Sequence, residues 1–331
     1  MPVSVEWYDD LDAVAADAGD TLDRAHQPWL YGRLDWFRLT REHVLPDAKL
    51  AILRIRSGEA TAWLFLIESA PRRAAPLASW YTLRFAPVLH GDAAAALLPD
   101  LYRAAARRFD VLELRPLDAP TMPEGWRSFA RRTSSNWTLE TNGRNFATYW
   151  AERPARTRNT VLRRMKSHPV SIEIHRDFDP AAWADYEAVY AESWKPQEGS
   201  PAFLRALAAQ EAAAGTLRLG IARGTGGRAV AAQFWLIERG IATIHKLAHR
   251  ESAKSGSPGS LLSHAMFRAA IDGDQVARID FGLGDEPYKV EWVDTPHPVW
   301  RVDAYRPASW RGAIGVAREV AGRLARPVRR G

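Results

Sequence analysis

The hydrophobic and polar positions of this chain fall into two similar series of short runs. In the first half, apolar runs over residues 49–56 and 60–67 are joined by Ser57-Gly58, which predicts a β-hairpin. Residues 92–108 then predict a helix, and residues 111–114 predict a strand. The first half is therefore expected to form a hairpin–helix–strand unit.

The second half repeats this order of elements. Two apolar runs flank a glycine-rich turn, and a third strand, a helix and a final strand follow, at residues 216–223, 229–237, 241–248, 258–272 and 278–281. The halves align at an offset of about 168 residues, with Gly91 on Gly259 and Val111 on Ile279. Two copies of one β-hairpin–helix–strand unit are the simplest account of this match in pattern.

Further helices are predicted between the two units. They cover residues 146–152, 156–167, 183–194 and 203–214. Asp179-Pro180 and Ser200-Pro201 each place a capping residue before a proline in the first helical turn. The combined pattern predicts an α/β (α+β) layer fold, with mixed sheets flanked by helices.

Composition limits the class of protein. With 331 residues, 47% hydrophobic and 25% charged, the chain suits a soluble globular protein of two domains. We expect domains at residues 1–144 and 145–305 and a basic helix at 306–331. The absence of cysteine excludes disulfides, thiol chemistry and zinc–thiolate sites. The chain begins without the apolar stretch of a signal peptide, and no apolar run approaches the roughly 18 residues of a membrane span, so a cytoplasmic protein is expected.

A small-residue loop before the second-half helix is the candidate anion site. It consists of Lys254, Ser255, Gly256, Ser257, Pro258, Gly259 and Ser260. Serine suits the N-cap, proline suits the first helical position, and the glycines let the backbone approach a ligand closely. The N–H groups and the positive dipole end of the helix would suit a pyrophosphate. An ordinary capped helix after a flexible turn explains the same residues, and the spacing fits neither a Walker A loop nor a dinucleotide fingerprint.

Three segments of the second half resemble the GNAT acyltransferase superfamily. They are the strand pair at 229–248, the Ser-Pro-Gly-Ser-Leu-Leu helix start, and Asp-Phe-Gly-Leu-Gly-Asp-Glu-Pro-Tyr-Lys at 280–289 with Trp292. They look like the branch that includes the CelD-type acetyltransferases of polysaccharide synthesis. That branch is similar to the Fem peptidoglycan aminoacyl-ligases, which carry two GNAT units in tandem, in agreement with the repeat. The resemblance covers residues 145–305 well and the first half in outline.

The resemblance implies acyl-CoA as a co-substrate, with no tightly bound cofactor and no metal. The pantetheine arm would lie along the strand at 241–248, beside Lys246, Leu247 and Ala248. The pyrophosphate would lie on residues 255–260. The usual arginine- or glutamine-rich pyrophosphate loop is replaced here by Ser-Gly-Ser-Pro-Gly, so acyl-CoA and an acyl carrier protein both stay open as donors.

Acyl transfer to an amine requires that the amine lose a proton, the thioester carbonyl be polarised and the leaving thiolate gain a proton. A backbone N–H on the central strand can polarise the carbonyl. Tyr288 follows the strand end where the thiolate would lie, so it is the candidate acid. Asp285 and Glu286 are candidate bases or hold the acceptor ammonium, and His245 is a further candidate base. Positions in the core would equally explain Tyr288 and His245.

A polar–aromatic segment after a predicted helix is the candidate acceptor site. Trp194, Lys195 and Glu198 would line the acceptor pocket of a GNAT fold, whereas a loop with one buried anchor tryptophan explains them equally. Gln233 is polar within an apolar strand and faces either solvent or the site. Lys289 either pairs with Asp285 or binds a phosphate.

Positive charge clusters in two places, although the net charge is only +6. In the tail, apolar residues fall at helical spacing among arginines, which predicts a basic amphipathic helix suited to an anionic membrane surface. The apolar residues are Trp310, Ile314, Ala317, Ala321, Leu324 and Val328, and the arginines are Arg311, Arg318, Arg323, Arg326, Arg329 and Arg330. The other cluster is Arg153, Arg156, Arg158, Arg163, Arg164 and Lys166. Solvated charge on docked helices is the alternative for both, and nucleic acid is not expected as a partner, because the interleaved aromatics of nucleic-acid binding are absent.

Together these features predict an N-acyltransferase that moves an acyl group from acyl-CoA or an acyl carrier protein to a primary amine. The basic tail and the tryptophan-rich chain resemble the GNAT-like bacterial ceramide synthases, which implies a sphingoid-type amine and peripheral contact with the inner membrane. The alternatives are acetylation of an amino sugar in exopolysaccharide synthesis, a Fem-like aminoacyl-tRNA-dependent ligase, and a non-catalytic GNAT-fold binding module.

Overall fold

The chain folds into two compact units, seen in a computed structural model that describes residues 3–324. One unit comprises residues up to 134 and residues from 298 onward, and the other comprises residues 135–297. These limits differ from the predicted domain boundaries at 144 and 305. The reason lies in residues 298–305, which pair with a strand of the first unit, with Tyr305 opposite Val111.

The first unit is a mixed sheet with helices. Its strands are β1 (Ser4–Tyr8), β2 (Leu50–Ser57), β3 (Ala60–Ala70), β4 (Arg73–Pro76), β5 (Val88–His90), β6 (Val111–Leu117) and parts of β7 (Arg127–Glu140) and β13 (Thr295–Tyr305). Its helices are α1 (Leu11–Ala18), α2 (Leu34–His43), α3 (Leu98–Arg108) and α9 (Trp310–Leu324). The strand order is β1-β2-β3-β4-β6-β13, and β4–β6 is its parallel pair.

The second unit is also a mixed sheet with helices. Its sheet has the order β7-β12-β11-β10-β9-β8, with β8 (Ser171–His175), β9 (Leu217–Arg223), β10 (Ala229–Glu238), β11 (Ile241–His249) and β12 (Arg278–Leu283). Its helices are α4 (Phe146–Ala151), α5 (Ala155–Ser167), α6 (Pro180–Ala191), α7 (Pro201–Ala213) and α8 (Pro258–Arg268). Asp179 and Ser200 accept hydrogen bonds from the first turns of α6 and α7, which confirms both predicted caps.

The predicted internal repeat is present in the topology. The series β2-β3-β4-α3-β6 of the first unit matches β9-β10-β11-α8-β12 of the second. In each, the third strand is antiparallel to the second and parallel to the last, with Arg73 opposite Val111 and Ile241 opposite Arg278. The mixed α/β fold of two similar units is therefore confirmed.

Each unit buries its own apolar core. Leu53, Leu64 and Phe109 belong to the core of the first, and Trp235 and Phe267 to that of the second. Within residues 3–324, no helix has the length and apolar character needed to cross a bilayer. The stability of the site described below therefore depends on the core beneath α8, which packs on β9 and β10.

The C-terminal helix α9 packs on the first unit through its small residues. Gly315 lies against the ring of Tyr305, and Glu319 accepts a hydrogen bond from the Tyr305 hydroxyl at 3.3 Å. Trp310, on the predicted apolar face, is 65% exposed, and Ile314 on the same face is also exposed. The apolar face thus points away from the protein. Four other residues of the predicted basic helix lie outside the described residues, namely Arg326, Val328, Arg329 and Arg330.

Candidate active site

The parallel strands β11 and β12 separate after a short stretch of pairing. They pair only from Ile241 to Thr243, opposite Arg278 to Asp280, although β11 continues to His249 and β12 to Leu283. Residues 244–249 therefore take no part in a ladder with β12, and an opening forms between the two strands. An extended ligand arm can add its own hydrogen bonds to such a strand edge.

A β-bulge lies on the wall of this opening. Phe234 of β10 is opposite Lys246, and Trp235 is opposite Ile244, so His245 is the extra residue of β11. The imidazole of His245 packs edge-on against the Phe234 ring, with centroids 5.3 Å apart. Burial lowers the pKa of His245 to about 3, so the ring is neutral near pH 7 and is a weak base.

A loop after α6 is tied to the same wall by an ion pair. Lys246 Nζ lies 3.0 Å from Glu198 Oε2, and the Glu198 side chain is only 10% exposed. Tyr190, in the last turn of α6, also hydrogen bonds to Glu198, and burial is the main cause that raises the pKa of Tyr190 to about 12. The candidate acceptor residue Glu198 is thus a sheltered carboxylate beside the opening.

Lys195, on the same loop after α6, has a partly buried ammonium group. Its ammonium lies 5.8 Å from the Trp194 ring, and the Trp194 ring in turn packs against His249 at the end of β11, at 4.3 Å. Among the described residues, Lys195 makes no ion pair within 4 Å. Burial lowers its pKa to about 8, and the charges of Lys246 and Lys289 act in the same direction.

The segment after β12 forms the opposite wall. The buried Lys289 donates from Nζ to the carbonyl oxygens of Gly282 and Leu283, at 3.0 and 2.6 Å, and pairs with Glu286 at 3.1 Å. Of the two roles predicted for Lys289, an ion pair with Asp285 or phosphate binding, the first is replaced by the pair with Glu286, and Asp285 is exposed. Lys289 therefore holds the strand end in shape, since its ammonium is occupied by backbone carbonyls.

Tyr288 lies in the same segment and packs edge-on against Phe281, with centroids 5.9 Å apart. Burial, followed by the charge of Glu286, raises the pKa of the Tyr288 phenol well above its usual range. The phenol therefore keeps its proton at neutral pH and can act as a donor. Asp285 and Glu286 are exposed, with Glu286 held at the surface by its ion pair to Lys289.

The candidate anion loop lies at the start of α8, as predicted, but its local geometry differs. Ser257 is the N-cap residue in a left-handed conformation, and its side chain does not cap the helix. Lys254 pairs with Glu251 at 2.7 Å. A Cβ on Gly259 would lie 3.2 Å from His249 Nδ1, and a Cβ on Gly256 would lie 3.4 Å from the His168 ring. The glycines thus accommodate two histidine rings.

Gln233 does not face solvent but lies beneath the start of α8. It is buried, donates to Ser263 Oγ at 2.7 Å and accepts from Trp235 Nε1 at 2.9 Å. A longer contact of 3.4 Å reaches the carbonyl of Gly259. Gln233 therefore links β10 to the first turns of α8. Its polar side chain satisfies the buried hydrogen-bonding groups of Ser263 and Trp235.

Three of the predicted groups of residues thus come together around one opening. Lys246 lies on β11, Lys195 and Glu198 on the loop after α6, and Tyr288 after β12, whereas Asp285 is on the surface. Sequence reasoning did not identify Tyr190 or His249. Tyr190 lies in the last turn before the polar–aromatic loop, and His249 lies at the end of the central strand. These two positions could have pointed to them. No group of three metal-ligating side chains occurs within residues 3–324.

The comparisons with known proteins agree with this geometry. Residues 153–290 match the family described as an acetyltransferase (GNAT) domain, and this match spans the loop after α6, the opening, the candidate anion loop and Tyr288. Among curated proteins no sequence match was found. The domain match indicates an N-acyltransferase enzyme, with its acetyltransferase domain at residues 153–290.

Solved structures share the fold over most of the chain. A tandem GNAT protein from the clavulanic acid biosynthesis pathway is 12% identical, with a TM-score of 0.51 over 93% of this chain and all (100%) of its own. A conserved protein of unknown function from Bacteroides thetaiotaomicron is 13% identical, with a TM-score of 0.56, covering 91% and 100%. L-PGS from Bacillus licheniformis is 12% identical, with a TM-score of 0.52, covering 80% and 85%. At such identities the likeness is one of fold.

Proposed function

We propose that the protein transfers an acyl group from a thioester donor to a primary amine in the opening between β11 and β12. The separation of these strands is the observation that carries the proposal, because it leaves a strand edge for an extended thioester arm. The match of residues 153–290 to an acetyltransferase domain supports it. Acyl-CoA is the expected co-substrate, with its arm along Lys246, Leu247 and Ala248 and its pyrophosphate at residues 255–260.

The reaction breaks the thioester C–S bond and forms an amide C–N bond. A backbone N–H of the bulged strand polarises the carbonyl, and the protonated phenol of Tyr288 donates to the leaving thiolate. The amine arrives as an ammonium, for which the sheltered carboxylate of Glu198 is the best-placed partner. Glu198 binds the ammonium in competition with Lys246 and takes up one of its protons. The second proton, lost from nitrogen as the amide forms, restores the Tyr288 phenol.

The remaining candidates take smaller roles. His245 is neutral and half-buried at the bulge, where it shapes the strand edge rather than moving a proton. Asp285 and Glu286, both exposed, attract the positively charged acceptor toward the opening. Lys289 holds the carbonyls of the β12 end and so fixes the position of the adjacent Tyr288.

For the acceptor, we propose a long-chain, sphingoid-type amine delivered from the inner membrane surface, as in a ceramide synthase. Helix α9 supports a membrane contact, because Trp310, Ile314 and Val320 stay exposed on a helix that docks through its other face. Arg318 and Arg323 on the same helix are exposed as well. An aromatic and aliphatic face beside arginines is the pattern of an interfacial helix on anionic lipid.

A second candidate is acetylation of an amino sugar, as in the CelD-type enzymes. The description of the matching family favours it, because that family is named for acetyl transfer. The two candidates differ in the length of the acyl chain and in the acceptor, and one donor–acceptor matrix separates them.

The purified protein would be incubated with acetyl-CoA or palmitoyl-CoA and with sphinganine or glucosamine, and thiol release and amide products would be measured. Palmitoyl transfer to sphinganine in the presence of anionic vesicles is the expected result. Acetyl transfer to glucosamine alone would replace the lipid proposal with the second candidate. Failure of both CoA thioesters and of the same acyl groups loaded on an acyl carrier protein, with either amine, would contradict the acyltransferase proposal and leave the non-catalytic alternative.

A further inference from the structure

Helix α5 presents positive charge that the protein itself does not neutralise. Its 13 residues include five cations and no acidic residue, and these cations are Arg156, Arg158, Arg163, Arg164 and Lys166. Within the part of the chain that the structure describes, none of the five has a carboxylate within 4 Å. The arginine just before the helix behaves differently, since Arg153 pairs with Asp294 at 2.7 Å.

The outer face of α5 also carries apolar side chains. Leu162 is 53% exposed and Met165 is 39% exposed, and they lie among the unpaired cations. The inner face is anchored by the buried residues Thr157 and Val161. A fixed helix with aliphatic residues framed by unpaired positive charge has the composition of a recognition surface for an acidic protein.

The position of α5 relates this surface to the thioester site. Near one end of the helix, Thr157 Oγ1 donates to Glu291 Oε2 at 3.2 Å, three residues from Tyr288. Just beyond the other end, the His168 ring packs at Gly256 in the candidate anion loop. The helix therefore extends from the segment of the candidate acid to the loop proposed for the donor phosphate.

We infer that the outer face of α5 docks an acidic acyl carrier protein, which delivers the acyl group as a thioester on its phosphopantetheine arm. This inference rests on the proposed acyl transfer and concerns the source of the donor. Docking on α5 would place the arm beside the opening, where the acyl group passes to the amine and the carrier leaves with a free thiol. It also accounts for the serine- and glycine-rich loop, because a carrier arm has one phosphodiester where CoA has a pyrophosphate and an adenosine phosphate.

The test compares three palmitoyl thioesters: a loaded bacterial acyl carrier protein, palmitoyl-CoA and palmitoyl-pantetheine. Arg163→Glu reverses one exposed charge on α5, and Arg107→Glu is the matched control on α3, where the arginine is also exposed. For the carrier thioester, Arg163→Glu should lower kcat/KM about tenfold, and added salt should weaken the wild-type reaction. Palmitoyl-pantetheine should react equally with both variants and the wild type.

Several outcomes would overturn the inference. One is a carrier thioester that reacts no better than palmitoyl-pantetheine. Another is an equal loss with all three donors, which would make α5 a structural support of the site. A third is a loss of binding to anionic vesicles in Arg163→Glu with unchanged carrier kinetics, which would make the face a membrane surface. Each of these results leaves acyl transfer intact, whereas inactivity with every thioester concerns the proposed function.

Discussion

Replacing Gln233 by methionine tests the polar link beneath the start of α8. Methionine has nearly the same length and fits the buried position, but it can neither donate to Ser263 Oγ nor accept from Trp235 Nε1. Both groups would then lie in the core without their present partner. A buried polar group left unsatisfied costs about 1–3 kcal/mol, so the two together should cost about 2–6 kcal/mol.

This loss should be visible in thermal unfolding. For a unit of this size, about 1 kcal/mol shifts the melting temperature by roughly 2–4 °C, so Gln233→Met should melt about 4–24 °C lower. Far-UV circular dichroism would follow the transition, and a double-mutant cycle with Ser263→Ala would isolate the Gln233–Ser263 term. The cycle should show coupling, because Ser263 Oγ has lost its partner already in the single variant.

The effect on the donor site is a second readout of the same change. Gln233 also reaches the Gly259 carbonyl, so the first turn of α8 should loosen and the KM for the thioester should rise more than kcat falls. A Gln233→Met protein that melts within about 2 °C of wild type would refute the reasoning that these hydrogen bonds determine the stability of this region.

Four further predictions concern individual side chains. Tyr288→Phe should lower kcat by about 10²-fold or more with an unchanged melting temperature, since it removes only the phenol proton; equal rates would exclude Tyr288 as the acid. Glu198→Gln should lower acyl transfer far more than Asp285→Asn, because Asp285 is exposed; the reverse order would move the base to the surface. In the folded protein the pKa of Lys195 is lowered from 10.5 to about 8. Between these two pH values the unfolded chain therefore binds more protons than the folded protein, so the free energy of unfolding should rise with pH across that range. Lys195→Met should flatten this rise in a melting-temperature series, and an unchanged slope would contradict it. Trp310→Ser should reduce sedimentation with phosphatidylglycerol vesicles, and equal sedimentation would remove α9 from the membrane proposal.

The main helices and strands could be predicted from the sequence because strong local signals determine them. The hairpin at Ser57-Gly58, the capped starts at Asp179 and Ser200, and the aligned halves depend on turn chemistry and periodicity, which act within a few residues. Strand β4, at four residues, carried no such pattern. The domain boundaries differed because the pairing of residues 298–305 with β6 joins segments far apart in sequence.

The location of the candidate site could be predicted from the sequence, but the partners of its individual side chains could not. The segments carrying Glu198, Lys246 and Tyr288 were selected by their polar character near strand and helix ends, and the structure brings them to one opening. The individual partners were not predictable, because the sequence alone allowed Lys289 to pair with Asp285 or to bind a phosphate and did not indicate the backbone carbonyls that its ammonium contacts. Only tertiary packing shows that Gln233 lies beneath α8 and that the glycines of the anion loop face histidine rings.

The bulge at His245 means that the chemistry of the central strand depends on a count of residues. Side chains alternate between the two faces of a strand, and one extra residue exchanges the faces of everything that follows unless a bulge absorbs it. If His245 were paired in a regular ladder, it would lie opposite Phe234, and Lys246 would lie opposite Gln233, on the side that Leu247 now occupies and away from Glu198. The ion pair that ties the acceptor loop to the strand thus depends on the bulge as much as on the residue types of β11.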